Sequence, residues 1–211
     1  MDNIERIFYD IPICTRVYLL ASLALSALCN FEKLSIFSIY LNFSLVFEEY
    51  QYWRLITCFC FFGEFSISFF LHMFFISRYM GALESGAFGG RKLDFLVLLF
   101  GGSLLLLLLA YFFQVLILSS SFTIFVIYMW CKQNPHGQIF FMGLVQFGAP
   151  WLPFVFCLFD YAGGVPLQTN LIGIGTGHVM YFLLDAYPAV TGWRPLYYIS
   201  SDCWQRAAAS N

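Results

Sequence analysis

Along this chain, apolar positions form long unbroken runs separated by short polar or charged breaks. Residues 95–131 carry no charge, and Gln114 with Ser119, Ser120 and Ser121 offers a turn inside that run. A helix needs about 20 apolar residues to cross a bilayer, so this run holds two. The same reading predicts six spans, at residues 17–30, 66–80, 93–113, 115–130, 147–161 and 171–184. Barrel strands would alternate polar and apolar residues over about ten positions. These runs are continuous, so helices must satisfy the backbone in lipid. Pro150 and Pro153 suit a turn or first helical turn leading into the fifth span. Residues 138–146 are expected to lie along the membrane interface.

Composition strengthens this picture. The chain is 61% hydrophobic and 10% charged, with a mean hydropathy of +0.77. Soluble domains are about one quarter charged. Too few charges remain to cover a water-facing surface, so an all-α membrane protein is expected. It reads as one six-span domain over residues 1–190 with a short cytosolic tail at 191–211. Asp2, Glu5, Arg6 and Asp10 do not fit a cleavable signal sequence. The first apolar segment is expected to stay as an anchor. An even span count puts Arg6, Arg16, Arg78, Arg91, Lys92, Lys132, Arg194 and Arg206 on one side, against Lys33 and Arg54 on the other. That bias makes both termini cytosolic. The net charge of −2 gives no footprint for nucleic acid. The seven cysteines include no CxxC pair and read as small buried hydrophobes. Three histidines without clustered carboxylates suggest no metal site, and no cofactor is implied.

Two features are unusual for a span bundle. The uncharged stretches between Glu64 and Arg78 and between Asn170 and Asp185 are shorter than a bilayer-crossing helix. Snorkelling of Arg78, interior-facing polar residues and local bilayer thinning would meet the deficit. The first loop, residues 31–54, is aromatic and aliphatic yet broken by Glu32, Lys33, Asn42, Glu48 and Glu49. Neither able to span nor suited to water, it is expected to sink into the membrane. Trp53 would seek the headgroup zone, and Arg54 would reach a phosphate or a backbone carbonyl.

Within the sixth span, Gly173 and Gly177 lie four residues apart and let a neighbouring helix approach closely. His178 is costly in lipid and invites a functional explanation. His72 reads as an interior packing residue. Arg78, Glu84, Arg91 and Lys92 read as a solvated rim, with Glu84 tying down the loop at 86–90. Asp160 and Asp185 read as charges at span ends. Ser66, Ser68, His72 and Asn170 are expected to line a polar interior.

Several motifs occur together in order. They are Ile11-Pro12 with Thr15-Arg16, and Gln51-Tyr52-Trp53-Arg54-Leu55-Ile56-Thr57. Next come Leu83-Glu84-Ser85-Gly86-Ala87-Phe88-Gly89-Gly90-Arg91 with Asp94-Phe95, then Phe122-Thr123-Ile124, Tyr128-Met129-Trp130 and Asn134-Pro135. Leu152-Pro153 and Gly173, Gly177-His178, Tyr187-Pro188 complete the set. Together they resemble the Derlin family, inactive relatives of rhomboid intramembrane proteases, over nearly the whole chain.

The resemblance implies a rhomboid-like bundle in the endoplasmic reticulum membrane, with Trp53 and Arg54 as the WR motif of an embedded first loop. It implies a non-catalytic role in endoplasmic-reticulum-associated degradation, helping misfolded clients leave through a locally thinned bilayer. Implied partners are misfolded proteins, a membrane ubiquitin ligase complex, lipids, further copies or relatives, and a cytosolic AAA ATPase. No Phe/Gly-rich docking box occurs in residues 191–211, so the ATPase would be reached indirectly. The alternative is an active rhomboid protease, with His178 as the base for a nucleophile among Ser119, Ser120 and Ser121. These serines lack the Gly-x-Ser-Gly setting, since residues 117–122 contain no glycine. His178 is then a vestige of the base, and no residue is expected to be catalytic. A small-molecule transporter is the third reading. It is set aside because the sequence shows no paired buried charges and no inverted repeat.

Overall fold

The computed structural model describes residues 11–141 and 145–191. Its main helices are α1 (Ile13–Asn30), α2 (Phe43–Glu48), α3 (Arg54–Cys60), α4 (Ile67–Ala82), α5 (Lys92–Phe113), α6 (Ser119–Gln133), α7 (Leu152–Ala162), α8 (Leu167–Tyr181) and α9 (Tyr187–Thr191). The expected helical segments are all present, although their ends differ. The protein is therefore mostly helical. Arg6, Arg194, Arg206, Cys203 and all of the expected cytosolic tail after Thr191 lie outside the described residues.

Local chemistry explains the boundaries. Ser66 caps α4 by accepting a hydrogen bond from the Phe69 amide at 3.2 Å. At the end of α5, Gln114 adopts a left-handed conformation with φ 54°. The segment after it is irregular rather than helical, so α6 starts at Ser119 and not at residue 115. The Leu116 carbonyl accepts from Leu41, and the Leu118 amide donates to the Cys58 carbonyl, each at 2.9 Å. The serines are thus the first turn of α6, not the expected turn between helices. Inside α6, the β-branched run Thr123, Ile124, Val126 and Ile127 has modest helix propensity in water. An apolar surround demands every backbone bond and overrides that preference.

The stretch expected along the interface forms an antiparallel hairpin, β1 (Gln138–Phe141) with β2 (Val145–Gly148), in which Gln138 pairs with Gly148. Period-two pairing satisfies the backbone of a segment too short for a stable helix. The fifth helix accordingly begins at Leu152, after a 3-10 turn (Ala149–Trp151) that holds Pro150, with Pro153 in its first turn.

Six helices alternate in direction. Glu84, beyond the end of α4, reaches the start of α1, while the Phe65 amide before α4 donates to Asn30 at the end of α1. α6 and α8 run parallel: Ser121 donates to the Thr169 carbonyl near their starts, and Tyr128 meets His178 further along. Gln168 at the start of α8 donates to the Phe113 carbonyl at the end of α5. The bundle therefore has a Ser119 end and a Lys132 end. Arg16, Arg78, Arg91, Lys92 and Lys132 lie toward the latter, and Lys33 and Arg54 toward the former.

Burial is uneven. Residues 119–127 of α6 are buried without a break. Most of α1 and α5 lies outside the buried core although both are apolar enough to cross a membrane, with Leu20, Leu23, Phe100, Leu104 and Leu108 exposed. A soluble core helix would hide these side chains. Apolar outer faces around a polar-containing interior fit lipid as the solvent.

Two expected placements are corrected. Glu84 is not part of a solvated rim and does not hold the glycine loop. Its π-helical turn (Leu83–Ala87) swings it under α1, where it accepts from the Cys14 and Thr15 amides at 2.9 Å and from the Thr15 hydroxyl at 2.8 Å. A carboxylate there satisfies orphan amides and meets the positive end of the helix dipole. Asp160 is not an exposed helix-end charge but is fully buried.

Candidate functional site

A cavity of about 470 Å³ lies at the Ser119 end. Ser68 and His72 reach it from α4, one turn apart on the same helix face. Ser119 and Ser120 come from the first turn of α6, and Gln168 and Thr169 from the first turn of α8. Phe61, Phe62, Phe113 and Val115 supply apolar wall.

Behind the cavity, His72 Nε2 lies 3.0 Å from Asp160 Oδ1, with both side chains buried. Phe62 and Phe156 enclose the imidazole, each with its ring centroid 5.1 Å away. His72 Nδ1 and both Asp160 oxygens have no properly directed hydrogen bond among the described residues. The His72–Asp160 contact is close but lacks the geometry of a strong hydrogen bond. This pair corrects two expectations: His72 is more than packing, and the interior does contain paired ionisable groups. Proximity in sequence gave no sign of it, since α4 and α7 meet only in the folded bundle.

Asn170 is also fully buried, and neither its Oδ1 nor its Nδ2 has a partner among the described residues. Ser66 does not line the cavity. It is exposed and serves as the cap of α4. Gln168 and Thr169 were not singled out from the sequence, although Gln168 sits two residues past the proline that opens α8.

The α6–α8 contact is set by glycine. A Cβ at Gly173 would overlap Ile124 Cγ2 and the Ser121 carbonyl oxygen, and one at Gly177 would lie 2.7 Å from Cδ1 of Tyr128. Gly102 in α5 does the same for the ring of Phe125 and was not anticipated.

The serines and His178 are not brought together. Ser121 Oγ donates to the Thr169 carbonyl at 2.6 Å, whereas His178 Nδ1 sits 2.9 Å from the Tyr128 hydroxyl. Tyr128 is about 10 Å along α6 from Ser121 at 1.5 Å per residue. His178 is also exposed. A base must lie within hydrogen-bond reach of its nucleophile, and this pairing does not form.

Arg54 is buried and works as a clamp on the first loop. Nη1 donates to the Phe37 and Tyr40 carbonyls at 2.6 and 2.8 Å, and Nε donates to Gln51 Oε1 at 2.7 Å. Of its two expected targets, the guanidinium takes backbone carbonyls. Trp53 beside it is 53% exposed, leaving its indole on the outer surface. Asn42 caps α2 within the same loop.

The six described cysteines are unpaired. No group of His, Cys, Asp and Glu able to hold a metal occurs among the described residues.

Comparison with known proteins agrees with this architecture. The pattern defining the Der1-like family matches residues 11–197. Derlin-2.2 of Arabidopsis thaliana is 39% identical over 204 residues, covering 92% of this chain and 84% of the relative. Derlin-2 of Oryza sativa subsp. japonica is 39% identical over 204 residues, covering 92% and 82%. The probable derlin-2 homolog of Dictyostelium discoideum is 39% identical over 199 residues, covering 91% and 78%. With the ordered motifs, the exposed apolar helices and these matches in hand, the chain belongs to the Der1-like family and is a Derlin-type membrane protein.

Proposed function

We propose that this protein is a non-catalytic, six-span component of endoplasmic-reticulum-associated degradation that helps misfolded proteins leave the membrane or lumen. Its Lys132 end and both termini face the cytosol, and its Ser119 end faces the lumen. The observation that carries this reading is the partly polar cavity at the Ser119 end, beside α6 and α7, two helices too short for an ordinary bilayer. α6 and α7 have 15 and 11 residues, whereas α4 and α8 run on without a break through π turns (Leu83–Ala87 and Phe182–Ala186). At 1.5 Å per residue α6 and α7 reach about 16–23 Å, against roughly 30 Å of hydrocarbon.

A mismatch of this size thins the surrounding lipid. A client segment approaching the cavity then crosses less hydrocarbon, and Ser68, Ser119, Gln168 and Thr169 offer its polar groups hydrogen-bonding partners. His72 and Asn170 lie deeper and keep the interior polar. Trp53 and Arg54 hold the first loop against the lumenal leaflet. Clients pass from here to a membrane ubiquitin ligase complex and, through a partner, to a cytosolic AAA ATPase. Homo- or hetero-oligomers belong to the same scheme.

The test is turnover of a misfolded membrane client in cells depleted of their own Derlins and supplied with this chain. Trp53→Ala/Arg54→Ala and the cavity-filling Ser68→Leu are expected to slow client decay while the Derlin itself remains at normal abundance. Unchanged client decay in both variants would remove the proposal. Fluorophosphonate labelling tests the non-catalytic part: no label is expected on Ser119, Ser120 or Ser121. A label lost in His178→Ala would overturn it.

A further inference from the structure

A second recess, of about 350 Å³, lies at the opposite end of the bundle. The turn before α5 supplies Phe88 and Arg91, the end of α6 supplies Lys132 and Gln133, and the region ending α8 supplies Tyr181 and Asp185. We propose that this recess binds a phosphate group, carried by an anionic phospholipid headgroup or by soluble phosphate.

The Lys132 ammonium carries the argument. It stands 5.4 Å from the Tyr128 ring centroid and 5.3 Å from that of Tyr181. Two aromatic faces thus hold the cation in position. No carboxylate lies within ion-pair distance of it among the described residues. Across the recess, Arg91 is fixed by donating to the Ala87 carbonyl at 2.7 Å and by stacking its guanidinium 5.5 Å from the Phe88 centroid. Its contact with Asp94 is long, at 3.8 Å. A positioned ammonium and a planar guanidinium are the two groups that proteins use for phosphate oxygens.

Asp185 is the opposing charge in the recess. Burial pushes its carboxyl above the usual carboxylate range, with Arg91 pulling it back. The upward push makes ionisation of this carboxyl less favourable than at the surface, which lessens its opposition to a phosphate. A phosphate fits this recess better than an acidic peptide because its oxygens diverge and can meet cations on two separate walls. Lys92 lies beside Arg91 in sequence, and Arg78 belongs to the last turns of α4, so the surrounding end is positively biased. The lipid source depends on the proposed orientation, which puts this end among cytosolic headgroups. The phosphate chemistry does not depend on it.

The test uses the full chain, purified in detergent and in phosphatidylcholine nanodiscs doped with phosphatidylinositol 4-phosphate. Native mass spectrometry reads retained lipid, and calorimetry with inorganic phosphate reads the soluble source. Lys132→Ala is expected to lower retention of the phosphorylated lipid about tenfold, whereas Lys132→Arg and the opposite-end control Lys33→Ala keep it. Since Lys132 is exposed, thermal unfolding of Lys132→Ala is expected to match that of the parent, which separates lost binding from lost fold. Phosphate binding without lipid retention assigns the soluble source, and lipid retention that inorganic phosphate competes away assigns the headgroup. Equal retention in the parent and Lys132→Ala, together with no calorimetric signal, overturns the proposal. So does a crosslink from position 133 to an acidic protein segment in place of lipid. Client degradation is not a readout, so failure of the proposed cellular role leaves this result interpretable.

Discussion

α5 and α6 are neighbours in sequence and opposites in physics. α5 is the more apolar, yet Phe100, Leu104, Leu108 and Phe112 point outward, and only a narrow stripe through Leu98, Gly102 and Leu106 is buried. α6 carries three serines and a threonine, yet its first nine residues are hidden. In water the order would be reversed. Lipid tails are as apolar as leucine, so burying leucine against another helix gains little there, and close packing with internal hydrogen bonds gains more. The helix that looks most like a membrane span is therefore the outer wall, and the more polar one is the interior.

The largest expected effect comes from closing the α6–α8 seam. Gly173→Val must displace the Ser121 carbonyl, which is backbone and cannot swing aside. A cost at or above the ~1–3 kcal/mol of ordinary overpacking is expected, seen as lost thermal stability and lower accumulation. Leu104→Val on the outer face of α5 is expected to change stability by less than about 0.5 kcal/mol. Equal losses in the two variants would erase the contrast between seam and wall.

Next in size is the buried pair. Asp160→Ala leaves the buried His72 without its polar neighbour, with an expected loss of at most about 3 kcal/mol. Replacing both partners, His72→Leu/Asp160→Leu, is expected to recover much of that loss in a double-mutant cycle of thermal unfolding. If the double variant is no better than the single one, the two groups do not act as a pair.

Arg54→Lys is smaller and more local. A lysine cannot span both loop carbonyls and Gln51, so about 1.5–3 kcal/mol of charge-assisted hydrogen bonding is at stake. Limited proteolysis is expected to cut the loop at residues 31–53 sooner, while the α6–α8 seam keeps its stability. Smallest is Ser66→Ala, a lost helix cap worth about 1 kcal/mol. It is expected to lower stability slightly without changing client turnover, because Ser66 lies outside the cavity.

Some of this was legible in advance. The helices, the prolines leading into α7, the close-packing glycines and the family motifs all depend on residue type and local order. The cavity was legible only in part. Ser68 and His72 could be suspected because polar residues in an apolar helix must face something polar. Asp160 could not, because nothing near it in sequence announces the histidine it meets. Glu84 was misplaced for a similar reason: its partners are the amides of a helix some 70 positions away. For His178 the partner was not legible, since a histidine in a span says nothing about which level of the neighbouring helix it meets.

By itself the sequence determined that this chain is a helical membrane protein, where most of its helices lie and which family it joins. Those properties follow from hydrophobic run length, backbone satisfaction and short motifs, all of which are local. Tertiary structure alone decided which helix faces outward, that Ser121 is spent on Thr169 while His178 is spent on Tyr128, and that His72 meets Asp160. Each depends on the depth and rotation of one helix against another, set by the glycine contacts and interior hydrogen bonds that form only when the bundle assembles.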